Sequence, residues 1–167
     1  MVSALASRYG TVLRKSKERA LVAEARLDGR LMALAFPQTY VNLSGESVAR
    51  LIRRYGIDDL GRLVVVHDEL DLPPGRVKVK EGGGTAGHNG LESIRSHMHD
   101  GGFVRVRVGI GKPPGRQDGA DYVLRRPGKA ERIEMDVAVE EAVEAVELLF
   151  KEGPAAAMLR FNSPRPS

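Results

Sequence analysis

The sequence predicts an α/β fold, a single three-layer domain built on a mixed β-sheet with helices on both faces. Three observations carry that expectation. Leu63-Val64-Val65-Val66 is an unbroken apolar run, which reads as a strand buried on both faces and therefore central in a sheet. Val77–Lys80 and Phe103–Val108 alternate apolar with basic residues, the period of half-buried strands. Between them a glycine-dense loop, Gly82 to Gly87, opens into a helix at His88-Asn89-Gly90.

The remaining elements follow in chain order. Val2 to Tyr9 reads as a short helix with Leu5, Val2 and Tyr9 on one face and Gly10 as its C-cap. Residues 20–27 and 30–36 read as strands around Asp28-Gly29, a hairpin turn signal. In the first strand Leu21, Ala23, Ala25 and Leu27 share a face opposite Glu24 and Arg26, and Val22 breaks the alternation. The second is apolar throughout, so its register is open. A helix follows, capped by Ser44 or Asn42, with Val48, Leu51 and Ile52 inward and Gly56 at its end. Asn89 to Met98 forms the next helix. Lys129 to Lys151 forms a long one with Met135, Val139, Ala142, Val146 and Leu149 on one stripe, and Ala155 to Phe161 a last short one.

Length and composition narrow the function classes. The chain has 167 residues, enough for one domain with a real core. Cysteine is absent, which excludes disulfides and thiol chemistry, and no zinc-protease pattern of the HExxH type is present. No metal or other cofactor is expected. No apolar run is long enough to span a membrane, and the start does not read as a signal peptide, so a soluble cytoplasmic protein with no membrane partner is expected. The net charge of +4 is uneven. Residues 130–152 hold eight acids and two bases, leaving 24 bases and 14 acids elsewhere. A basic body with one acidic helix suits a polyanionic partner, although an ordinary solvated surface would read almost the same way.

The chemistry concentrates between His67 and Leu91, HDELDLPPGRVKVKEGGGTAGHNGL. Acidic residues follow the buried strand, and glycines lead to His88 and Asn89 at a helix start. Polar groups thereby gather at one end of a sheet, where open α/β folds bind ligands. Either piece alone is more often a turn or a cap. Together they carry more polar side chains than capping requires, and adjacent glycines let backbone N–H groups approach a ligand closely.

These residues also carry a resemblance. HDELDLPPG, GGGTAGHNGL, the upstream PQTYVNLSG of residues 37–45 and the later FVRVRVGIGKPPG are similar, in order and spacing, to signature blocks of bacterial peptidyl-tRNA hydrolase. The resemblance covers nearly the whole chain. It implies an enzyme that hydrolyses the ester between a peptide and the 3′ ribose of tRNA, acting in translation to recycle tRNA. In such an enzyme water attacks the carbonyl, a histidine oriented by an aspartate removes its proton, and donors stabilise the oxyanion. Asp68 matches the orienting aspartate. Asn42 and Asn89 match asparagines that hold the peptide and the reacting group, and His88 a histidine of the cleft wall, with Tyr40 and Gly87 in the same blocks. Arg105, Arg107, Lys112, Lys78 and Lys80 become candidate tRNA contacts. Phe36 and Val41 depart from the lysine and methionine that the family often has there.

The resemblance places the base histidine in an N-terminal block similar to VGLGNPGxxYxxTRHNxGF, which also supplies a central strand. The sequence contains no such block, and none of His67, His88, His97 and His99 takes its place by motif. Read this way, the chain begins within the family's first helix. It is expected to be inactive or impaired as a hydrolase and to self-associate where the complete protein would be monomeric. The other reading is a paralogue or fragment that binds RNA without hydrolysis.

Overall fold

The computed structural model describes residues 1–111 and 129–164, with side chains in the second segment from Arg132 onward. Lys112 lies outside the described residues. The α/β class is borne out, but the strands form two three-stranded sheets instead of one, in two compact units. One unit comprises Val2–Leu63 and Glu81–Val104. The other comprises, of the described residues, Met1 and residues 64–80, 105–111 and 129–164.

In the first unit, β1 (Arg14–Lys15), β2 (Ala20–Leu27) and β3 (Arg30–Pro37) form an antiparallel sheet. Asp28 and Gly29 both have positive φ, 53° and 76°, the backbone of a tight hairpin turn whose twist matches its strands. That turn pairs Leu27 with Arg30, Ala25 with Met32 and Ala23 with Leu34, which resolves the open register. Met32 and Leu34 face inward with Ala23, Ala25 and Leu27, while Leu31 and Phe36 face out. The helix α1 (Val2–Arg8) lies on this hairpin and buries Leu5 and Ala6. Gly10 closes it with positive φ, its N–H bonded to the Ser7 carbonyl and that of Thr11 to the Ala6 carbonyl, the paired bonds of a Schellman end.

Two further helices complete this unit, α2 (Ser44–Arg54) and α3 (Asn89–Met98). Their contact is unusually close. The Gly45 N–H donates to Ser93 Oγ at 2.9 Å, and a Cβ added at Gly45 would run into the Ser93 carbonyl and the His97 ring. Gly45, Ser47 and Val48 are buried, whereas Leu51 and Ile52, expected inward, are half-buried. The inward face of α2 is thus shifted toward its small residues, because small residues are what let two helices meet at backbone distance. Tyr55, just past α2, donates to Glu24 Oε2 at 2.9 Å, and burial with that bond pushes its hydroxyl pKa up to about 12.

In the second unit, β4 (Val64–Glu69), β5 (Val77–Glu81) and β6 (Val104–Gly109) lie in the order β4-β6-β5. Bonds from Val104 N–H to the Leu63 carbonyl and from Ile110 N–H to the Glu69 carbonyl advance together, so β4 and β6 are parallel. Bonds joining Gly109 to Arg76 and Gly82 to Phe103 run in opposite senses, so β6 and β5 are antiparallel. The sheet is mixed, as expected, but β4 is not its centre. It stands at an edge among the described strands and is half-buried. The central strand is β6, where Val104, Arg105 and Val106 are at most 2% exposed. An apolar run reports burial of side chains and does not count a strand's neighbours.

The long helix α4 (Lys129–Glu152) buries Ala138, Ala142, Val143, Ala145, Val146 and Leu149. Met135, placed on the buried stripe by periodicity, is 47% exposed, since the packed face begins only at Ala138. After Gly153 comes α5 (Pro154–Phe161), with Pro154 at a first-turn position where its missing N–H costs nothing.

At the other edge of this sheet, beyond α5, Asn162 takes the place of a neighbouring strand. Its Oδ1 accepts from Val79 N–H and its Nδ2 donates to the Val79 carbonyl, each at 2.8 Å. Both peptide groups are partly buried, and leaving them unpaired costs roughly 1–3 kcal/mol. Asn162→Ala should therefore lower unfolding stability in denaturant by about that amount. Asn162→Asp, which keeps the acceptor and loses the donor, should fall between variant and wild type. Equal stability of all three would show that water serves Val79 as well as the amide does.

Candidate active site

In the second unit, the residues after β4 are laid against the end of β6. Gly111 N–H bonds to the Leu72 carbonyl at 2.9 Å, and Gly109 lies so close to Leu72 and Pro73 that a Cβ there would meet the Pro73 carbonyl. Glu69 anchors this arrangement. One oxygen takes Arg107 Nε at 3.0 Å, and the other accepts Asp71 N–H at 3.4 Å. Successive strand residues point to opposite faces, so fixing Glu69 turns Asp68 the other way, where it is exposed. Of the two adjacent acids, Glu69 has a structural task and Asp68 is the one presented outward.

The same unit decides the expected tRNA contacts. Arg105 is 2% exposed in the middle of β6 and cannot reach a phosphate. Arg107 is half-buried and paired with Glu69. Alternation alone suggested a basic face, but the centre of the sheet encloses Arg105. Lys80 is exposed and Lys78 half-buried on β5, both compatible with an outside partner.

In the first unit, the structure brings Tyr40, Asn42, Gly87, His88 and Asn89 into one neighbourhood. Residues Val41–Leu43 form a 3-10 turn that contacts the start of α3. A Cβ at Gly90 would lie 3.3 Å from Val41 Cγ1 and 3.0 Å from His88 Cε1. Asn42 is exposed and does not cap α2, whose N-cap position is Leu43 with no side-chain bond. Ser44 spends its hydroxyl on the Val41 carbonyl at 2.7 Å, holding the turn. The amide of Asn42 therefore needs a different explanation from capping. Tyr40 is 83% exposed beside it.

The glycine loop reaches the helix through a second tight turn. The His88 N–H bonds to the Thr85 carbonyl at 2.9 Å, with positive φ at Ala86 and Gly87. Thr85 Oγ1 donates to Glu92 at 2.8 Å and Arg95 pairs with the same carboxylate at 2.9 Å. Arg95 first and Thr85 second hold the Glu92 carboxyl below the usual carboxylate range. His88 is the N-cap of α3, its Nδ1 accepting Leu91 N–H at 3.2 Å. An Nδ1 that accepts carries no proton, so the neutral ring bears its proton on Nε2. Asn89 stands exposed beside His88 at the first turn. The sequence reading missed the Gly45–Ser93 contact that brings turn and helix together. Its signal is a glycine inside a helix, unfavourable there unless something must come close.

Comparisons with known proteins decide the lineage. The family model described as peptidyl-tRNA hydrolase matches residues 1–167. This chain belongs to the peptidyl-tRNA hydrolase family. The family's members are carboxylic ester hydrolases, and those named here set the measure of likeness. The chain is 52% identical to the peptidyl-tRNA hydrolase of Nocardia farcinica over 141 residues, 84% of this chain and 72% of that one. It is 47% identical to that of Frankia alni over 163 residues, 98% of this chain and 82% of that one. The crystal structure of peptidyl-tRNA hydrolase from Acinetobacter baumannii superposes with a TM-score of 0.90 at 35% identity, covering 99% of this chain and 84% of that one. The family match spans the whole chain and gives no support of its own to an absent N-terminal block.

Substitution tests the cap that His88 provides. His88→Ala should lower stability by about 0.5–2 kcal/mol, the usual worth of an N-cap. His88→Asn, which can cap, should recover most of that in a thermal melt. If His88→Asn is as unstable as His88→Ala, the imidazole holds the loop by packing and not by its lone pair.

Proposed function

We propose that this chain acts on peptidyl-tRNA, at the ester joining the peptide to the terminal ribose, in the cytoplasm. The observation that carries the reading is the family match over residues 1–167, joined to a polar edge that uses the resembling residues themselves. Asn42 and Asn89 would hold the peptide amides, with Tyr40 and Gly87 bordering the same edge. His88 would donate from Nε2 to the carbonyl under attack, where negative charge develops. Asp68 would orient the histidine base and stabilise its cationic form. Lys78 and Lys80 remain the candidate tRNA contacts of β5, and no helix among the described residues is long and apolar enough to cross a membrane.

The base is the demanding part of this reading. His88 spends its Nδ1 lone pair on the helix. His97 bonds the Ser93 carbonyl at 2.9 Å, and His99 ends α3 in the left-handed conformation. His67 Nδ1 lies 2.8 Å from the Asp68 carbonyl. These contacts single out none of the four histidines as the base, and RNA binding without turnover is the second reading.

Release of N-acetyl amino acid from N-acetyl-aminoacyl-tRNA tests both. Release by the chain supports the hydrolase reading, and tRNA binding without release supports the second. Asp68→Asn should lower kcat by roughly two to four orders of magnitude with little change in tRNA affinity. Undiminished turnover would remove Asp68 from the mechanism. Rapid turnover by the chain alone would place the base among its own four histidines.

A further inference from the structure

With Arg105 enclosed and Arg107 paired, the question of where RNA phosphates would lie points to another part of the first unit. An open cleft of about 590 Å³ is lined by Lys15, Ser16, Lys17, Glu18 and Arg54. It lies between the turn joining β1 to β2 and the last turn of α2. The turn is well fixed. Ser16 N–H and Ser16 Oγ both donate to the Ala20 carbonyl, at 3.0 and 2.9 Å, and Arg19 takes a positive φ of 57°. Two ion pairs fasten it to α2, Arg54 with Glu18 at 2.6 Å and Arg19 with Glu46 at 2.7 Å. Arg50 reaches the Lys17 carbonyl at 3.5 Å.

The arrangement of charge is informative. Both carboxylates near the cleft, Glu18 and Glu46, already have an arginine each. The exposed ammonium groups of Lys15 and Lys17 are left facing solvent on a clamped backbone. Lys15 ends β1 and Lys17 stands in the turn that follows, so both charges border the same cleft two residues apart in sequence. No apolar side chain lines the cleft, so it offers nothing to anchor a peptide or a lipid tail. Hydrated lysine charges without a shaped apolar pocket recognise a backbone polyanion, whatever its sequence.

We propose that this cleft holds a phosphodiester segment of the RNA, with Lys15 and Lys17 as its contacts and Arg54 as the residue that positions their turn through Glu18. The proposal deepens the reading of peptidyl-tRNA as substrate and rests on it. The site serves the body of the RNA and not the ester.

Binding of labelled tRNA across a salt series tests it, with wild type, Lys15→Ala/Lys17→Ala and Lys15→Arg/Lys17→Arg. Loss of two phosphate contacts should reduce the slope of log affinity against log salt by about 2 in the alanine variant, and the arginine variant should keep the wild-type slope. In the hydrolysis assay the alanine variant should show raised KM for N-acetyl-aminoacyl-tRNA, and no such loss with the same ester on a short 3′-terminal oligonucleotide. An unchanged slope in an alanine variant with native circular dichroism would overturn the proposal, as would an equal loss with the short ester. If neither ester is hydrolysed by any of the chains, the hydrolase reading fails, while the salt slope still decides the cleft.

Discussion

The candidate site depends on two helices meeting at backbone distance. Gly45 is the only residue type that fits its place, because its N–H lies on Ser93 Oγ and any Cβ would meet the Ser93 carbonyl. That contact fixes the start of α2 against the middle of α3, and the turn before α2 then meets the start of α3 where Val41 lies by Gly90. The turn carrying Asn42 therefore stands next to His88 and Asn89 although more than forty residues separate them in sequence. A larger residue would open this edge, since interiors close-packed at this level answer added volume with backbone shifts.

Within each unit, the polar groups divide between holding and presenting. Ser44, Thr85 and Glu92 spend their side chains on the local frame, and Glu69 does the same in the other unit through Arg107. Asn42, Asn89 and Asp68 are presented outward. His88 does both, because its two nitrogens are chemically distinct. One caps the helix, and the cap fixes the tautomer that leaves a donor on the other. Such coupling makes the tautomer of a site residue a property of the fold.

Much of this was legible in the sequence, for physical reasons. Asp28-Gly29 can adopt few backbone conformations other than a tight turn, and the hairpin forms there. Gly10 and Gly56 close their helices in the left-handed conformation for the same reason. The extent of α3 followed from its periodicity and from polar residues at its start. The site residues were named through the resemblance of long motifs, and their standing as Asn42-type outward groups became visible only once the cap at Leu43 was seen. Strand neighbours were not legible. Among the described strands the apolar run of β4 lies at an edge and β6 between two neighbours, because period reports faces while pairing is decided by contacts far along the chain. For the same reason Arg105 was read as surface and is buried.

The central claim is that the approach of α2 to α3 at Gly45 assembles the polar edge. The most direct measurement is the amide NMR spectrum and exchange protection of Gly45→Ala against wild type. The account predicts large shifts and lost protection both at Val41–Leu43 and at His88–Leu91, with stability lowered by about 1–3 kcal/mol. Shifts confined to the residues flanking position 45, with stability unchanged, would contradict it.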